Sequence, residues 1–290
     1  MRFLEQISLV IVNYNSKSVI GNSLKHLLCV KDVVIVDNAS SDNSVDFIRE
    51  TFPGVRVILM DQNRGFGTGI NAGIKTCQTK YTLVVSPDTE VTLESLKQLY
   101  YEGEKNDNTA IVAPSLMVPG YGPEIWVRGY SETLHSKALF TADGAFCTWF
   151  ISGAVMLCKT AIFNNIGGFD EKIFLYNEDL DLSIRMQRAG FSMIYLPQVK
   201  AVHLNSQSTK PSKRLHWRKN WNFAWSYYYV IEKHQGRKLA REKAIRQLFI
   251  KGLKSIFYLC VLDLKRLIRD FSTTHGTYSY LVGKKPKQLY

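Results

Sequence analysis

The chain has 290 residues, of which 46% are hydrophobic and 21% charged. That is enough apolar material for one large core plus an appendage. The net charge of +12 is uneven: residues 1–205 hold 18 Lys and Arg against 21 Asp and Glu, a net of −3, whereas residues 206–290 hold 19 against 4, a net of +15. Cys29, Cys77, Cys147, Cys158 and Cys260 show neither a C-x-x-C pair nor a disulfide spacing, which excludes a disulfide scaffold and reads as buried apolar filler in a reducing compartment.

In chain order, Ile7–Val12 is an apolar run too short to span a bilayer, and no small-residue cleavage site follows it, so a cytoplasmic location is expected. It reads as a first buried strand, followed by strands at Val33–Val36, Val55–Met60 and Thr82–Val85. Helix-like stretches at 18–29, 43–50 and 68–77 separate them, with Ser40, Ser41 and Asp42 as N-cap candidates. This βαβ alternation predicts an α/β fold with a Rossmann-like, mostly parallel central sheet flanked by helices.

Open sheets of this kind bind ligands at the carboxyl ends of their strands. Those ends are Asn13-Tyr14-Asn15, Asp37-Asn38, Asp61-Gln62-Asn63-Arg64 and Ser86-Pro87-Asp88, all polar and all on one expected edge. Asp37 is either part of a capped Asx/Ser turn or an acceptor for the imide N–H of a pyrimidine base. The stretch Asn63–Gly73 carries Gly65, Gly67, Gly69 and Gly73. It is neither a P-loop nor a dinucleotide fingerprint, but it offers close backbone approach, with Arg64 beside a helix N-terminus for a diphosphate; Gly69 and Gly73 also suit close helix-to-sheet packing. Further on, Glu178-Asp179-Leu180-Asp181 gathers three carboxylates in four positions.

These segments, in this order, resemble glycosyltransferase family 2, and in particular its bacterial rhamnosyltransferase-like branch, over roughly residues 5–205. The resemblance implies a glycosyltransferase-A fold that transfers a sugar from a nucleoside diphosphate with inversion, using Mn²⁺ or Mg²⁺. Carried over by position, it implies a nucleotide site containing Asn13, Tyr14, Asp37, Asn38, Arg64, Gly65, Asn71 and Pro87. Asp88 and His203 would hold the metal, and Asp179, flanked by Glu178, would be the catalytic base. Ser152-Gly153-Ala154 resembles the family's small-residue strand near the acceptor, where Trp149 would either stack on a sugar ring or pack in the core. Ser86 stands where members with a full D-x-D motif have their first acid, which motivates a competing reading as a catalytically silent protein that binds a nucleotide sugar, or a partner enzyme as a scaffold, without turnover.

The chemistry is consistent with these roles. A departing diphosphate needs its charge stabilised, which a hard cation held by carboxylate oxygen provides. An attacking hydroxyl needs a base within hydrogen-bond reach, and a helix start favours an ionised Asp179. Successive helix positions point about 100° apart, so Glu178 and Asp181 should not share that role, and Asp181 is expected to pair with Arg185 at i,i+4.

Two domains are expected, a catalytic one at 1–209 and a basic, aromatic-rich helical extension at 210–290. In the extension, residues 214–235 are read as packing, whereas 237–270 form a basic amphipathic segment read as lying on an anionic membrane surface, with a lid or a homodimer interface as alternatives. No nucleic-acid motif accompanies the basic tail. The expected partners are a dTDP- or UDP-linked sugar and a polyprenyl-linked glycan acceptor of O-antigen or capsule type, met at the inner face of the cell membrane.

Overall fold

The structure, a computed structural model, describes residues 2–120, 122–124, 144–204 and 212–286. It comprises two compact units, Met1–Asp170 with Asp179–Thr209, and Glu171–Glu178 with Lys210–Tyr290. The second unit thus takes in a short segment that lies within the expected 1–209 domain. The boundary expected at residue 209 falls outside the described residues.

The first unit opens with β1 (Ile7–Asn13), α1 (Ile20–Leu24), β2 (Asp32–Asp37), α2 (Ser44–Thr51), β3 (Arg56–Leu59), α3 (Phe66–Ile74) and β4 (Tyr81–Val85). There follow β5 (Thr89–Val91), α4 (Leu93–Glu104), β6 (Thr109–Val118), β7 (Gly122–Glu124), β8 (Phe146–Cys147), β9 (Val155–Lys159), α5 (Thr160–Asn165), α6 (Glu178–Arg188) and β10 (Ser192–His203). The sheet runs β3-β2-β1-β4-β9-β6-β10-β5, with β7 on β6 and β8 on β10. Strands β3, β2, β1 and β4 are mutually parallel, β9 is antiparallel to both β4 and β6, and β10 is parallel to β6 but antiparallel to β5.

Every residue of β1 is buried, because side chains alternate between two covered faces. Leu9 and Ile11 join a cluster with Ile20, Leu24, Ile48 and Leu96, while Val10 and Val12 join one with Ile70, Ile74, Phe163 and Met186. Helix α3 sits very close to the sheet: a Cβ on Gly69 would stand 2.7 Å from Val12 Cγ2, and one on Gly73 2.5 Å from Val10 Cγ1. Both glycines therefore serve the close packing expected of them.

The second unit holds α7 (Lys213–Gln235), α8 (Arg237–Cys260) and α9 (Leu264–Leu281). Trp221, Trp225, Tyr228 and Ile231 of α7 pack with Ala240, Ala244 and Tyr280, so the aromatic segment forms a core. A Cβ on Gly276 would collide with the Trp221 carbonyl oxygen, which requires glycine where α9 crosses α7. Asn177 joins this unit by donating to Ser226 Oγ at 2.8 Å and to the Phe223 carbonyl at 3.3 Å, with the Tyr176 ring edge-on to Phe223.

Four expectations are corrected. The periodicity of 237–270 is not one helix but two, because Leu262 adopts φ 55° and Asp263 caps α9 by accepting from Arg266 N at 3.0 Å. Only Cys77 and Cys158 are buried; Cys29, Cys147 and Cys260 are exposed and all five thiols are free. Ser152-Gly153-Ala154 is not a strand but the turn leading into β9. The α2 N-cap is Asn43 in the left-handed region, with Asp42 Oδ1 accepting from Ser44 N at 3.1 Å just before it.

Candidate active site

The strand ends expected to carry the site lie on one edge, since β1 and β2 place Asn13 opposite Asp37. Asp37 is 3% exposed; its Oδ1 accepts from Asn13 Nδ2 at 2.6 Å and its Oδ2 from Ser40 N at 3.0 Å. Asn13 Nδ2 also lies 2.7 Å from Ser44 Oγ and 3.0 Å from Ser40 Oγ. Asn15 N donates to Ser40 Oγ at 2.9 Å, Ser41 N to Asn15 Oδ1 at 2.7 Å, and Lys17 N to Asp42 Oδ2 at 2.9 Å. Burial pushes the Asp42 carboxyl up, but the hydrogen bonds from Ser44 and Lys17 outweigh it and hold the group below its ordinary range. The segment 37–42 is therefore a capped turn laced to the loop that holds Tyr14. A carboxylate offers about four acceptor sites, so these bonds leave Asp37 capacity for another donor.

Two further asparagines act as clamps. Asn38 Nδ2 donates to the Gly65 carbonyl at 3.0 Å while its Oδ1 accepts from Arg64 N at 2.9 Å, which fixes the turn into α3. Asn71 Nδ2 donates to the Phe169 carbonyl and its Oδ1 accepts from Phe169 N, both at 2.8 Å, which fixes the Gly167-Gly168 loop. Gly168, at φ 63°, has no room for a side chain: a Cβ would stand 2.5 Å from Asn71 Oδ1. Such paired bonds satisfy buried amides that would otherwise be costly. The Arg64 guanidinium lies on Asp61, with Nη2 to Oδ2 at 2.9 Å, and this contact lowers the Asp61 pKa.

At the end of β4, Ser23 Oγ of α1 donates to the Pro87 carbonyl at 2.7 Å, and Asp88 is 5% exposed. Strand β10 pairs with β5 so that His203 is opposite Thr89, and Leu204 N donates to the Asp88 carbonyl at 2.9 Å. This register brings His203 Nε2 to 3.6 Å from Asp88 Oδ1. Two ligands held at ~2.1 Å from a shared ion stand ~3–4 Å apart, so one carboxylate oxygen and one imidazole nitrogen at this spacing fit a small divalent cation. Among the described residues, no group of three or more His, Cys, Asp or Glu is placed to hold a metal.

A hydrogen-bonded path links this pair to the acidic helix. Ser86 N donates to the Ala154 carbonyl at 2.8 Å, and Gly153 N donates to Asp179 Oδ2 at 3.3 Å. Asp179 Oδ1 accepts from Leu180 N at 2.9 Å, as suits a carboxylate in a first helical turn. Glu178, the first residue of α6, is 6% exposed. Asp181, fully buried, pairs with Arg185 at 2.8 Å as its spacing predicts. Trp149 is 57% exposed, so it is not a core residue. Ser23 and Ser44, which help position this edge, gave no signal in the sequence, since each is an ordinary polar residue within a helix, whereas Ser40 reads there only as a cap candidate.

The family described as Glycosyl transferase family 2 matches residues 8–167, more than half of the chain. Among curated relatives, an N-acetylglucosaminyl-diphospho-decaprenol L-rhamnosyltransferase of Mycobacterium tuberculosis is 23% identical over 236 residues, 70% of this chain and 76% of that protein. The low-salt glycan biosynthesis hexosyltransferase Agl10 of Haloferax volcanii is 26% identical over 216 residues, 69% of this chain and 67% of that protein. Among solved structures, the mannosyltransferase PcManGT of Pyrobaculum calidifontis, in complex with GDP-Man and Mn²⁺, superposes with TM-score 0.60 at 14% identity, covering 97% of this chain and 88% of that one. GalNAc-T7 with UDP, GalNAc and Mn²⁺ gives TM-score 0.54 at 14% identity, covering 77% of this chain and about half, 51%, of that one. With its parallel β3-β2-β1-β4 half and its polar strand ends, the chain carries the glycosyltransferase-A fold and belongs to glycosyl transferase family 2.

Proposed function

We propose that the chain is an inverting, divalent-cation-dependent hexosyltransferase that moves L-rhamnose from dTDP-rhamnose to a hydroxyl of a polyprenyl-linked glycan. The Mycobacterium relative supports the sugar and the lipid-linked acceptor. In this reading the product is a surface glycan of O-antigen or capsule type, extended at the inner face of the cell membrane. The observation that carries the reading is the approach of Asp88 and His203 to 3.6 Å at one end of the path Ser86, Ala154, Gly153, Asp179.

Asp37 accepts the imide N–H of the base, with Asn13 and the Ser40 N–H holding its carboxylate in place. Tyr14 and Pro87 line the nucleotide from the β1 and β4 ends. Asn38 and Asn71 shape the backbone around Gly65 and Gly168, and Arg64 approaches the diphosphate by leaving or sharing Asp61. Asp88 and His203 hold Mn²⁺ or Mg²⁺. When bound, the ion neutralises charge on the departing diphosphate.

Asp179 takes the proton from the acceptor hydroxyl, work that contributes typically ~10²- to 10⁴-fold. Its contact with Gly153 N–H fixes the carboxylate beside the turn where Ser152 and the exposed Trp149 meet the acceptor sugar. Glu178 flanks the base without sharing its direction.

The test is calorimetry with UDP, dTDP and GDP, each with and without Mn²⁺ or Mg²⁺, on the native chain, Asp88→Asn and His203→Ala. Cation-dependent dTDP binding that both variants weaken is the expected result. Preference for UDP would keep the chemistry and change the donor. Absence of any binding would favour a silent scaffold that engages a partner enzyme instead of a nucleotide sugar.

A further inference from the structure

The second half of α8 is apolar on the side facing away from its own core. Phe249, Leu253, Ile256 and Phe257 are 59–67% exposed, and at 100° per residue they fall within an arc of about 100°. The buried Ala244 and Ser255 lie on the opposite side of the same helix. The stripe continues through the turn, where Leu262 is 79% exposed, to Leu264 at the start of α9, 56% exposed. No helix among the described residues is long and apolar enough to cross a membrane, so the stripe is a surface feature and not a span.

Its rim is basic. Lys254, Lys265 and Arg266 are exposed around it. Of the two acids of this corner, Asp270 is fully buried and accepts from Lys251 at 3.1 Å and from Arg269 at 2.7 Å, while the partly exposed Asp263 caps α9 and pairs with Arg266 Nε at 3.5 Å. With Asp263 offset by Arg266, the exposed Lys254 and Lys265 leave the outward charge of the corner positive. A second copy seated on this face about a two-fold axis would set that basic rim against itself. An anionic surface with an apolar interior satisfies both the rim and the stripe.

We infer that the α8–α9 corner, residues 249–266, docks the chain onto anionic lipid headgroups, with Phe249, Leu253, Ile256 and Phe257 entering the acyl boundary. The inference rests on the proposed lipid-linked acceptor for its purpose, while its test reads vesicle binding and is independent of sugar transfer.

The test is co-sedimentation of the full chain with phosphatidylcholine vesicles, with and without phosphatidylglycerol. Two variants accompany it: the apolar set Phe249→Gln, Leu253→Gln, Phe257→Gln, and the basic set Lys254→Gln, Lys265→Gln, Arg266→Gln. All six side chains are exposed, so both variants should keep the native circular dichroism.

The native chain should bind the anionic vesicles. The apolar set should lose roughly tenfold or more of that affinity, and the basic set should lose roughly tenfold or more of the preference for phosphatidylglycerol. Absence of vesicle binding, or equal binding by the apolar set, would overturn the inference. So would sedimentation equilibrium showing a dimer that only the apolar set dissociates, without vesicle binding. Nucleotide calorimetry on the same samples separates the two readings: a chain that binds vesicles but no nucleotide keeps the docking surface and loses the transferase, and the reverse result does the opposite.

Discussion

Replacing Arg185 by Met should open the base of helix α6 while leaving its first turn chemically intact. Arg185 is the hub of three contacts: Nε donates to Asp181 Oδ2 at 2.8 Å, Nη1 to the Ile166 carbonyl at 2.8 Å and Nη2 to the Gly168 carbonyl at 2.5 Å. The Asp181 side chain has no exposed surface and that of Arg185 only 18%. Methionine keeps the apolar stem but leaves a buried carboxylate without its guanidinium and two loop carbonyls without their donor. Breaking a buried pair from one side costs ~3–5 kcal/mol, and partial access of water at Arg185 favours the lower end, so ~3 kcal/mol is expected. The assay is hydrogen exchange of residues 166–169 and 181–188, which reads the opening of this unit separately from the helical one. Adding Asp181→Leu should restore much of the loss, because an apolar pair replaces the ionic one. If Arg185→Met changed the opening free energy by less than about 0.5 kcal/mol, a typical surface value, the clamp would be ornamental and the division of labour between Asp181 and Asp179 would be wrong.

Other outcomes follow from the same geometry. Asp179→Asn should lower turnover by ~10²-fold or more with donor affinity and hydrogen exchange unchanged, as initial rates and calorimetry would show; near-native rates would remove Asp179 as base. Burial raises the Asp270 pKa, but its bonds to Arg269 and Lys251 outweigh this and hold it below the ordinary value. A lowered folded pKa gives stability that is present above about pH 4 and is lost as pH falls through the folded value. Asp270→Asn should therefore melt earlier at neutral pH and show a flatter pH dependence below about pH 4; parallel curves for variant and native chain would refute this. A thiol reagent should label Cys29, Cys147 and Cys260 quickly and Cys77 and Cys158 slowly, because burial pushes the latter two thiols up; uniform labelling of all five would contradict the packing.

Strands β1, β2 and β4 were legible because both faces of the sheet are covered there, so they read as unbroken apolar runs ending at Asn13, Asp37 and Ser86, while the edge strand β3, with Arg56 and Leu59 exposed, was legible only from the βαβ alternation. The other half of the sheet was not legible. Strands β5 and β8 have three and two residues, too few for periodicity, and nothing in the order of residues announces that β9 inserts between β4 and β6. The proposed site residues could be named in the sequence by type and position, but the work of Asn38 and Asn71 as loop clamps could not, since amides reach partners far along the chain. In the tail, the apolar spacing continues past Leu262, and the break there is a backbone conformation that leaves no mark on the pattern.

The register of β5 against β10 places the ligands of the proposed cation site more than a third of the chain apart in sequence, whereas Asn13 and Asp37 meet across one short βαβ unit. Loop closure makes distant pairings slow, so the two ends of the donor site should mature at different times during synthesis. Asn13 and Asp37 are both made while much of the chain, including the Phe163 and Met186 that cover β1, is still unmade. The Asp88 edge must wait for residue 203, so a nascent chain holds both strands of the proposed base-recognition edge well before it holds both ligands of the proposed cation site.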